Sequence, residues 1–247
     1  MERLIDLEWL VWVLSMLTGY LLGSISFARI VTKVFSPSGE VKRIVRDIPG
    51  TDMTFDSDAV TATTVNLQLG PRFGCLTSLL DMVKAAVPTG LFLYSFPNKH
   101  YFLAAAIMTM IGHNYPIYYR FKGGRGLSPL IGALMVINWF SLLLSGFAAL
   151  LLAYLTGAIL AMRWSWMGFL VIWFALYLKD PWYVAFMLAA NFLFFFSMRK
   201  ELASAIKIGK NRKTTQEEIS EFMLMGKELG RFIDKYGLPA LIRKVKK

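Results

Sequence analysis

Cysteine, histidine and acidic residues are scarce in this sequence of 247 residues. The one cysteine, Cys75, excludes an intrachain disulfide. The two histidines, His100 and His113, are too few for a dedicated zinc site, so we expect no metal and no other cofactor. Charged residues make up 17% of the chain, whereas about 25% is usual in soluble domains. The composition therefore argues against a soluble globular protein.

The chain is rich in long apolar blocks. Hydrophobic residues make up 56% and aromatic residues 15% of it, which is typical of a helical bundle in a membrane. The block 127–162 is nearly twice the roughly 20 residues that one span needs, so we divide it near Asn138 and Trp139. The prediction is an all-α integral membrane protein with about seven transmembrane helices. The apolar blocks are 10–35, 73–96, 99–119, 127–162, 165–178 and 181–197.

Basic residues mark one side of the predicted bundle. They fall in the loops 36–72 and 120–126, at Arg163 between two blocks, and in the tail from Arg199. Seven spans with the N-terminus outside place all of these regions in the cytoplasm, as the positive-inside rule requires, and five spans satisfy the same rule. We thus expect a multi-pass protein of the cell membrane with a cytoplasmic C-terminus. The net charge of +11 then reflects this bias, and we expect no nucleic-acid partner.

Residues 201–247 form a basic tail that differs in composition from the membrane domain, 1–200. Thr215 and Glu218 have the spacing of a capping box, and apolar residues recur at helical spacing as far as Tyr236. We therefore expect a C-terminal amphipathic helix. Two placements are open for it: on anionic lipid, or against the cytoplasmic face of the bundle.

The segment from Gly112 to Gly126 carries the strongest functional signal, because it combines a histidine, cations and glycines between two apolar blocks. Glycine backbones can approach and wrap an anion, and the start of the next helix adds its positive end. We therefore predict a phosphate-binding loop at the membrane surface. The alternative is a tight turn whose cations only mark the cytoplasmic side. The candidate phosphate ligands are Lys122, Gly123, Gly124 and Gly126, with Arg125 beside them.

Three groups of short motifs stand in order along the chain. They are Gly23-Ser24-Ile25-Ser26-Phe27; Leu69-Gly70 with Gly74, Asp81, Lys84 and Pro88; and Gly112-His113-Asn114-Tyr115-Pro116 with Phe121-Lys122-Gly123-Gly124-Arg125-Gly126. This order resembles the bacterial acyl-phosphate:glycerol-3-phosphate acyltransferases, the integral membrane PlsY family, over roughly residues 10–200. The resemblance implies transfer of a fatty acyl group from acyl phosphate to glycerol 3-phosphate, giving lysophosphatidic acid and phosphate in phospholipid synthesis. Its implied partners are these two substrates and membrane lipid.

The resemblance also implies how such a site works. Acyl phosphate is already activated, so positioning and charge stabilisation suffice, and the donor's own phosphate can take the hydroxyl proton. The family match makes Ser57 and Thr63 candidate substrate contacts. We name His113 and Arg125 as candidate catalytic residues, and for His113 the alternative is a structural role in which it orients the loop.

The sequence departs from the family in two motifs. The first-loop pattern Gly-Ser-Gly-Asn-x-Gly-Ala-Thr-Asn-x-x-Arg keeps only its serine, alanine and threonine here, and Asp56 and Asp58 add negative charge. The third pattern, Arg-His-x-x-Asn, loses its histidine and asparagine at 198–202. Either other cations rebuild an active site, or the protein binds lipid or a partner without acyl transfer; a transporter or channel would leave the glycine-rich loop unexplained. The candidate replacement cations are Arg43, Arg46, Arg199 and Lys200.

Overall fold

The computed structural model describes residues 2–47, 54–200, 202–203, 217, 220 and 227–245. The predicted capping box at Thr215 and Glu218 lies outside these described residues. The helices are α1 Glu2–Gly23, α2 Phe27–Phe35, α3 Ala62–Leu69, α4 Pro71–Ser95, α5 Tyr101–Asn114, α6 Leu127–Thr156, α7 Ile159–Trp173, α8 Pro181–Ser197, α9 Lys227–Tyr236 and α10 Leu238–Val245. A 3₁₀ turn spans Ile117–Tyr119, a π-helical turn spans Phe174–Leu178, and the strands are β1 Ile44–Asp47 and β2 Thr54–Ser57.

The first apolar block, 10–35, continues without a break in hydropathy, but its helix is interrupted in the structure. α1 ends at Gly23 and α2 begins at Phe27. The break removes the Ile25 carbonyl from the helical ladder, and Lys84 Nζ donates to it across 2.7 Å. A buried cation from another helix therefore replaces the missing backbone donor, which is the condition for irregular backbone within a membrane bundle.

α1 packs closely on α5 because small residues face that helix. A Cβ added at Gly19 would lie 2.3 Å from the carbonyl oxygen of Ala105, and one at Gly23 would lie 2.3 Å from that of Thr109. Since no side chain fits in these gaps, the two glycines set the distance between the helices, as small residues do in membrane bundles. This contact fixes the position of the end of α5, where the candidate site begins.

The long helix α6 is bent where the sequence predicted a division. Asn138 has φ −164° and ψ 85°, and its Oδ1 accepts a hydrogen bond from the backbone N–H of Ser141 at 2.9 Å. Asn138 thus caps a new helical segment inside the block. Beyond the bend, Ser141 Oγ accepts from Trp173 Nε1 at 2.9 Å, which ties this segment to the end of α7.

Three helical stretches of the described chain are long and apolar enough to cross a membrane: Leu7–Phe35, Pro71–Ser95 and Leu127–Thr156. Trp164–Leu178 and Pro181–Ser197 are shorter apolar helices. Large apolar side chains such as Phe147 and Phe192 are exposed, as expected of a surface that faces lipid. The all-α class is confirmed, and about seven spans stays a prediction.

One β-hairpin interrupts the helical architecture, and the sequence analysis did not predict it. β1 and β2 pair antiparallel, with Ile44 opposite Ser57 and Asp47 opposite Thr54. Such a short two-stranded ribbon has little stability of its own. Its role in the fold is to carry the chain from α2 to Ser57 and α3 beside the candidate site.

The two ends of the bundle differ in character. At one end Lys99 pairs with Glu8, and His100 Nε2 lies 2.7 Å from Asp180 Oδ2. The hydrogen bond and charge of Glu8 raise the pKa of Lys99. The opposite end, called here the motif end, holds the loop 115–126, Ser57 and the end of α8.

The C-terminal helices α9 and α10 pack on the turn between α6 and α7. Ile233 is 1% exposed, and a Cβ added at Gly157 would lie 3.1 Å from Pro239 Cγ. The structure therefore shows the packed placement for this part of the tail. Phe232 and Ile242 remain exposed on the same two helices, so an apolar face is also available to lipid.

Candidate active site at the motif end

The loop between α5 and α6 turns tightly over the end of α5. Arg120 and Phe121 have φ values of 52° and 60°, and Gly126 has a φ of 80°. Non-glycine residues seldom adopt positive φ, and such residues cluster at functional sites. The turn brings the glycine-rich segment back onto the histidine that precedes it.

Gly123 and Gly124 lie directly against His113. The N–H of Gly124 donates to the carbonyl oxygen of His113 at 3.0 Å. A Cβ added at Gly124 would lie 2.1 Å from His113 Nε2, and one at Gly123 would lie 2.2 Å from the His113 carbonyl oxygen. Both positions therefore require glycine, because a side chain at either one would collide with His113. The sequence had suggested a different reason, the approach of the glycine backbone to an anion.

His113 belongs to a buried polar cluster with Asp81 and Lys84. Lys84 Nζ lies 2.7 Å from Asp81 Oδ1 and 2.9 Å from His113 Nδ1, in addition to its bond with Ile25. An ammonium group only donates, so Nδ1 accepts and the ring proton is assigned to Nε2, on the side of Gly124. Lys84 thus has two hydrogen-bond acceptors and the Asp81 carboxylate as an ion-pair partner, which compensate the cost of burying its charge.

Arg125 joins the glycine-rich loop to the first loop. Its Nη2 donates to Ser57 Oγ at 3.1 Å, and Ser57 is buried. A second link joins the same two loops, from the Val60 N–H to the Gly123 carbonyl oxygen at 3.1 Å. Ser197, at the end of α8, donates to the Arg125 carbonyl oxygen at 3.4 Å. Three segments that are distant in sequence therefore meet around Arg125.

Thr63 is exposed in the first turn of α3. The helix cap is formed by its neighbours: Thr61 Oγ1 accepts from the Thr64 N–H at 3.2 Å, and Thr64 Oγ1 donates to the Ala59 carbonyl oxygen at 2.7 Å. The structure thus places Ser57 against Arg125 and leaves Thr63 on the surface of the first loop.

Two further residues at the motif end were given no role from the sequence. Asn114 is 3% exposed, and both polar atoms of its side chain lack a hydrogen-bond partner among the described residues. A Cβ added at Gly126 would lie 2.9 Å from Asn114 Oδ1. Buried amides normally have partners, so Asn114 is a candidate contact for water or substrate under the loop. No local pattern marks this role.

The second residue is Arg29 on α2. Its Nη2 donates to the Lys122 carbonyl oxygen at 2.8 Å, and its guanidinium lies 4.5 Å from the centre of the Tyr119 ring. The signal that could have revealed it is the amphipathic pattern of 27–35, which the sequence analysis included in an apolar span. Arg29 therefore holds the glycine-rich loop from α2, a neighbouring helix.

Within the described part of the chain, no three His, Cys, Asp or Glu side chains are grouped so that they could hold a metal ion. The chemistry available at the motif end is therefore that of cations, N–H donors and one buried amide. Such donors stabilise phosphate groups and the negative charge that develops in acyl transfer.

The sequence is similar to bacterial proteins named glycerol-3-phosphate acyltransferase. The Pelagibacter ubique protein is 34% identical over 129 residues, 52% of this chain and 60% of that protein. The alignment therefore spans less than two thirds of that relative's length. The Methylobacillus flagellatus protein is 33% identical over 184 residues, which cover 67% of this chain and 86% of that protein.

The fold is similar to two crystal structures of PlsY (YgiH), an integral membrane glycerol 3-phosphate acyltransferase. The glycerol 3-phosphate form matches with a TM-score of 0.65 at 20% identity, covering 84% of this chain and 98% of that chain. The lysophosphatidic acid form matches with a TM-score of 0.64 at 21% identity, covering 79% and 92%. At these identities the likeness establishes the integral membrane fold.

The family model described as glycerol-3-phosphate acyltransferase matches residues 13–207. This range includes all of the residues described above at the motif end. Because the match covers well over half of the chain, the protein belongs to the glycerol-3-phosphate acyltransferase family.

Proposed function

We propose that the protein transfers a fatty acyl group from acyl phosphate to glycerol 3-phosphate, giving lysophosphatidic acid and phosphate. The observation that carries this proposal is the contact between Arg125 and Ser57, which joins the first loop to the glycine-rich loop at one end of an apolar bundle. Family membership supports the same assignment. A cationic, donor-rich site beside lipid suits two anionic substrates, one of which has an acyl chain.

The reaction needs positioning more than it needs a protein nucleophile. A hydroxyl of glycerol 3-phosphate attacks the acyl carbonyl carbon, the bond from that carbon to the phosphate oxygen breaks, and the departing phosphate takes the hydroxyl proton. We assign Lys122 and Arg125 to the phosphate charges, and the N–H groups of the glycine-rich loop other than that of Gly124 to the reacting oxygens. Held in place, these groups lower the barrier through orientation and preorganised charge.

We propose that His113 is a positioning residue in this reaction. Its Nδ1 is engaged by Lys84 and its Nε2 faces Gly124, so both ring nitrogens are directed at the protein. In this arrangement the His113 ring fixes the distance between the glycine-rich loop and the end of α5. The other hypothesis for His113, a catalytic role through acid–base chemistry, is tested by a pH profile described below.

Ser57 and Thr63 have different parts in the proposal. Ser57 orients the Arg125 guanidinium through its hydroxyl, and Thr63 is exposed where a substrate can reach it. The motif end lies on the cytoplasmic side of the cell membrane in this proposal, with the N-terminus outside. The acyl chain then stays in lipid while its phosphate enters the loop. In this proposal the tail, 201–247, lies on the cytoplasmic side.

One observation favours the second hypothesis, a relative that binds lipid or a partner without acyl transfer. Arg199, a candidate replacement cation, is engaged at its own helix end: its Nη1 donates to the Phe196 carbonyl oxygen at 3.0 Å, and its guanidinium lies 4.8 Å from the centre of the Phe196 ring. Part of the donor capacity of Arg199 is therefore used at its own helix end.

An acyl-transfer assay on the purified full chain separates the two hypotheses. The assay uses palmitoyl phosphate and labelled glycerol 3-phosphate, with a Lys122→Ala/Arg125→Ala double variant. Arg72→Ala is the matched control, because Arg72 is an exposed cation outside the loop. Product formed by the wild type and the control, and lost in the double variant, supports the enzyme. A folded wild type that binds acyl phosphate but forms no lysophosphatidic acid contradicts it.

A further inference from the structure

A cleft of about 520 Å³ opens between α2, the start of the first loop and the 3₁₀ turn. Arg29 and Lys33 line it from α2, and Tyr119 and Val60 line it from the 3₁₀ turn and the first loop. The backbone N–H of Val60 is bonded to Gly123, so the cleft lies next to the glycine-rich loop. Its position between both loops makes it an extension of the motif end.

Arg29 is held in a defined orientation at this cleft. Its Nη1 donates to Ser26 Oγ at 3.3 Å and its Nη2 to the Lys122 carbonyl oxygen at 2.8 Å, while Tyr119 supports the guanidinium face. A guanidinium has five N–H donors in a rigid plane. Two of its nitrogens are thus anchored to the protein, and the planar group retains donors for an anion in the cleft.

Lys33 lies one helical turn after Arg29, which places both cations on the same face of α2. Its side chain is exposed and lines the cleft. Arg29 supplies directed hydrogen bonds, and Lys33 supplies a mobile point charge. This combination is common where proteins bind phosphate.

The chain needs cations here because its first loop has lost the family's arginine. The sequence alone directed attention to Arg43, Arg46, Arg199 and Lys200 as replacements. The structure also brings α2 against the glycine-rich loop through the contact of Arg29 with the Lys122 carbonyl oxygen. A helix that the sequence analysis assigned to an apolar span thus brings two positive charges to the motif end.

We propose that this cleft binds a phosphate monoester, with Arg29 and Lys33 as its ligands. The assignment rests on the proposed function, in which the monoester is glycerol 3-phosphate. A lipid headgroup such as that of phosphatidic acid has the same chemistry. Glu40 is the one carboxylate among the cleft residues. It opposes an anion, so two cations face one acidic group and the cleft retains a net positive charge.

The test measures binding, so it does not depend on catalysis. Full-length protein in phosphatidylcholine nanodiscs is titrated with glycerol 3-phosphate by calorimetry. Lys33→Gln is expected to weaken binding about tenfold, as loss of a charged hydrogen bond does. Glu40→Gln is expected to tighten it about threefold by removing a repulsive charge. Lys42→Gln, which removes an exposed cation beside the cleft, is the matched control and leaves affinity unchanged.

Arg29→Lys tests the second ligand without removing its charge. A weaker affinity together with an unchanged melting temperature supports directed binding by the guanidinium. Wild-type affinity in both Lys33→Gln and Glu40→Gln overturns the proposal, because neither change touches the Arg29 anchor.

A second arm distinguishes the two sources of the phosphate. Phosphatidic acid is added to the nanodiscs and the glycerol 3-phosphate titration is repeated. Competition that is lost in Lys33→Gln shows that the headgroup enters the cleft, and absence of competition assigns the cleft to the soluble monoester. If the wild type forms no lysophosphatidic acid but these binding results hold, the proposed function fails and the phosphate site stands.

Discussion

The contact between Gly124 and His113 makes a sharp prediction about the loop. In Gly124→Ala the new methyl group would lie 2.1 Å from His113 Nε2, with the two adjacent ring carbons at 2.8 and 2.9 Å. Ordinary contacts between such atoms are about 3.5 Å. The loop and the ring must therefore separate by more than about 1 Å. The φ angle of Gly124 is not positive, so the effect is steric and not a backbone preference.

Neither partner can move freely to relieve this clash. The ring is held by Lys84 at 2.9 Å, and the loop by the hydrogen bond from Gly124 to the His113 carbonyl oxygen. Overpacking alone costs about 1–3 kcal/mol, and a lost hydrogen bond to a charged group adds about 1.5–3 kcal/mol. We expect a total near 3 kcal/mol, which lowers the melting temperature by about 6–12 °C for a chain of this size. Acyl transfer should fall about a hundredfold, because the loop is displaced.

Thermal unfolding of the purified variants measures the stability term. Gly146→Ala is the matched control, since an added Cβ there meets no atom within 4 Å. Alanine suits a helix better than glycine, so the control should match the wild type within about 1 kcal/mol. In a His113→Ala background the same Gly124→Ala change should cost far less, because the ring is absent. Equal losses in both backgrounds, or wild-type stability of Gly124→Ala, would refute the steric argument.

Two other predictions follow from the described contacts. His113→Gln should lower acyl transfer by up to about a hundredfold while the shape of the pH–rate profile stays the same. Loss of one limb of the profile would instead establish acid–base catalysis by His113. Asn138→Ala should destabilise the protein by about 1 kcal/mol in thermal unfolding, because α6 loses the cap at its bend. Asn138→Asp, which keeps an acceptor for the Ser141 N–H, should retain most of that stability, and equal loss in both variants would contradict the capping role.

Much of the architecture could be predicted from local patterns. The division of 127–162 was placed at Asn138 from length alone, and the structure bends there. The glycine-rich loop was identified from its composition. The break after Gly23 was missed because hydropathy continues across it, while a tertiary contact from Lys84 satisfies the freed carbonyl. The β-hairpin was missed because a short ribbon has a weak signal in sequence.

The candidate site likewise contains residues that the sequence indicated and residues that only the structure revealed. Ser57 and Arg125 were named separately, one from a damaged motif and the other from the best-preserved motif, and they meet at 3.1 Å. Asn114 was named only as a member of a motif, without a role, and Arg29 was not named. A buried amide without a partner is recognisable only after its neighbours are known. A cation on an amphipathic helix has many possible partners until the packing selects one.

By itself, the sequence determined that this chain is an all-α membrane protein with a cationic, glycine-rich loop. Those properties are local, because a run of apolar residues must satisfy its backbone internally in lipid and glycine permits close approach wherever it stands. Only the tertiary structure decided which groups meet: Lys84 with His113, Arg125 with Ser57, and Arg29 with Lys122. These pairs depend on the distances and angles between packed helices, which arise from contacts across the whole bundle and leave no fixed spacing in the sequence.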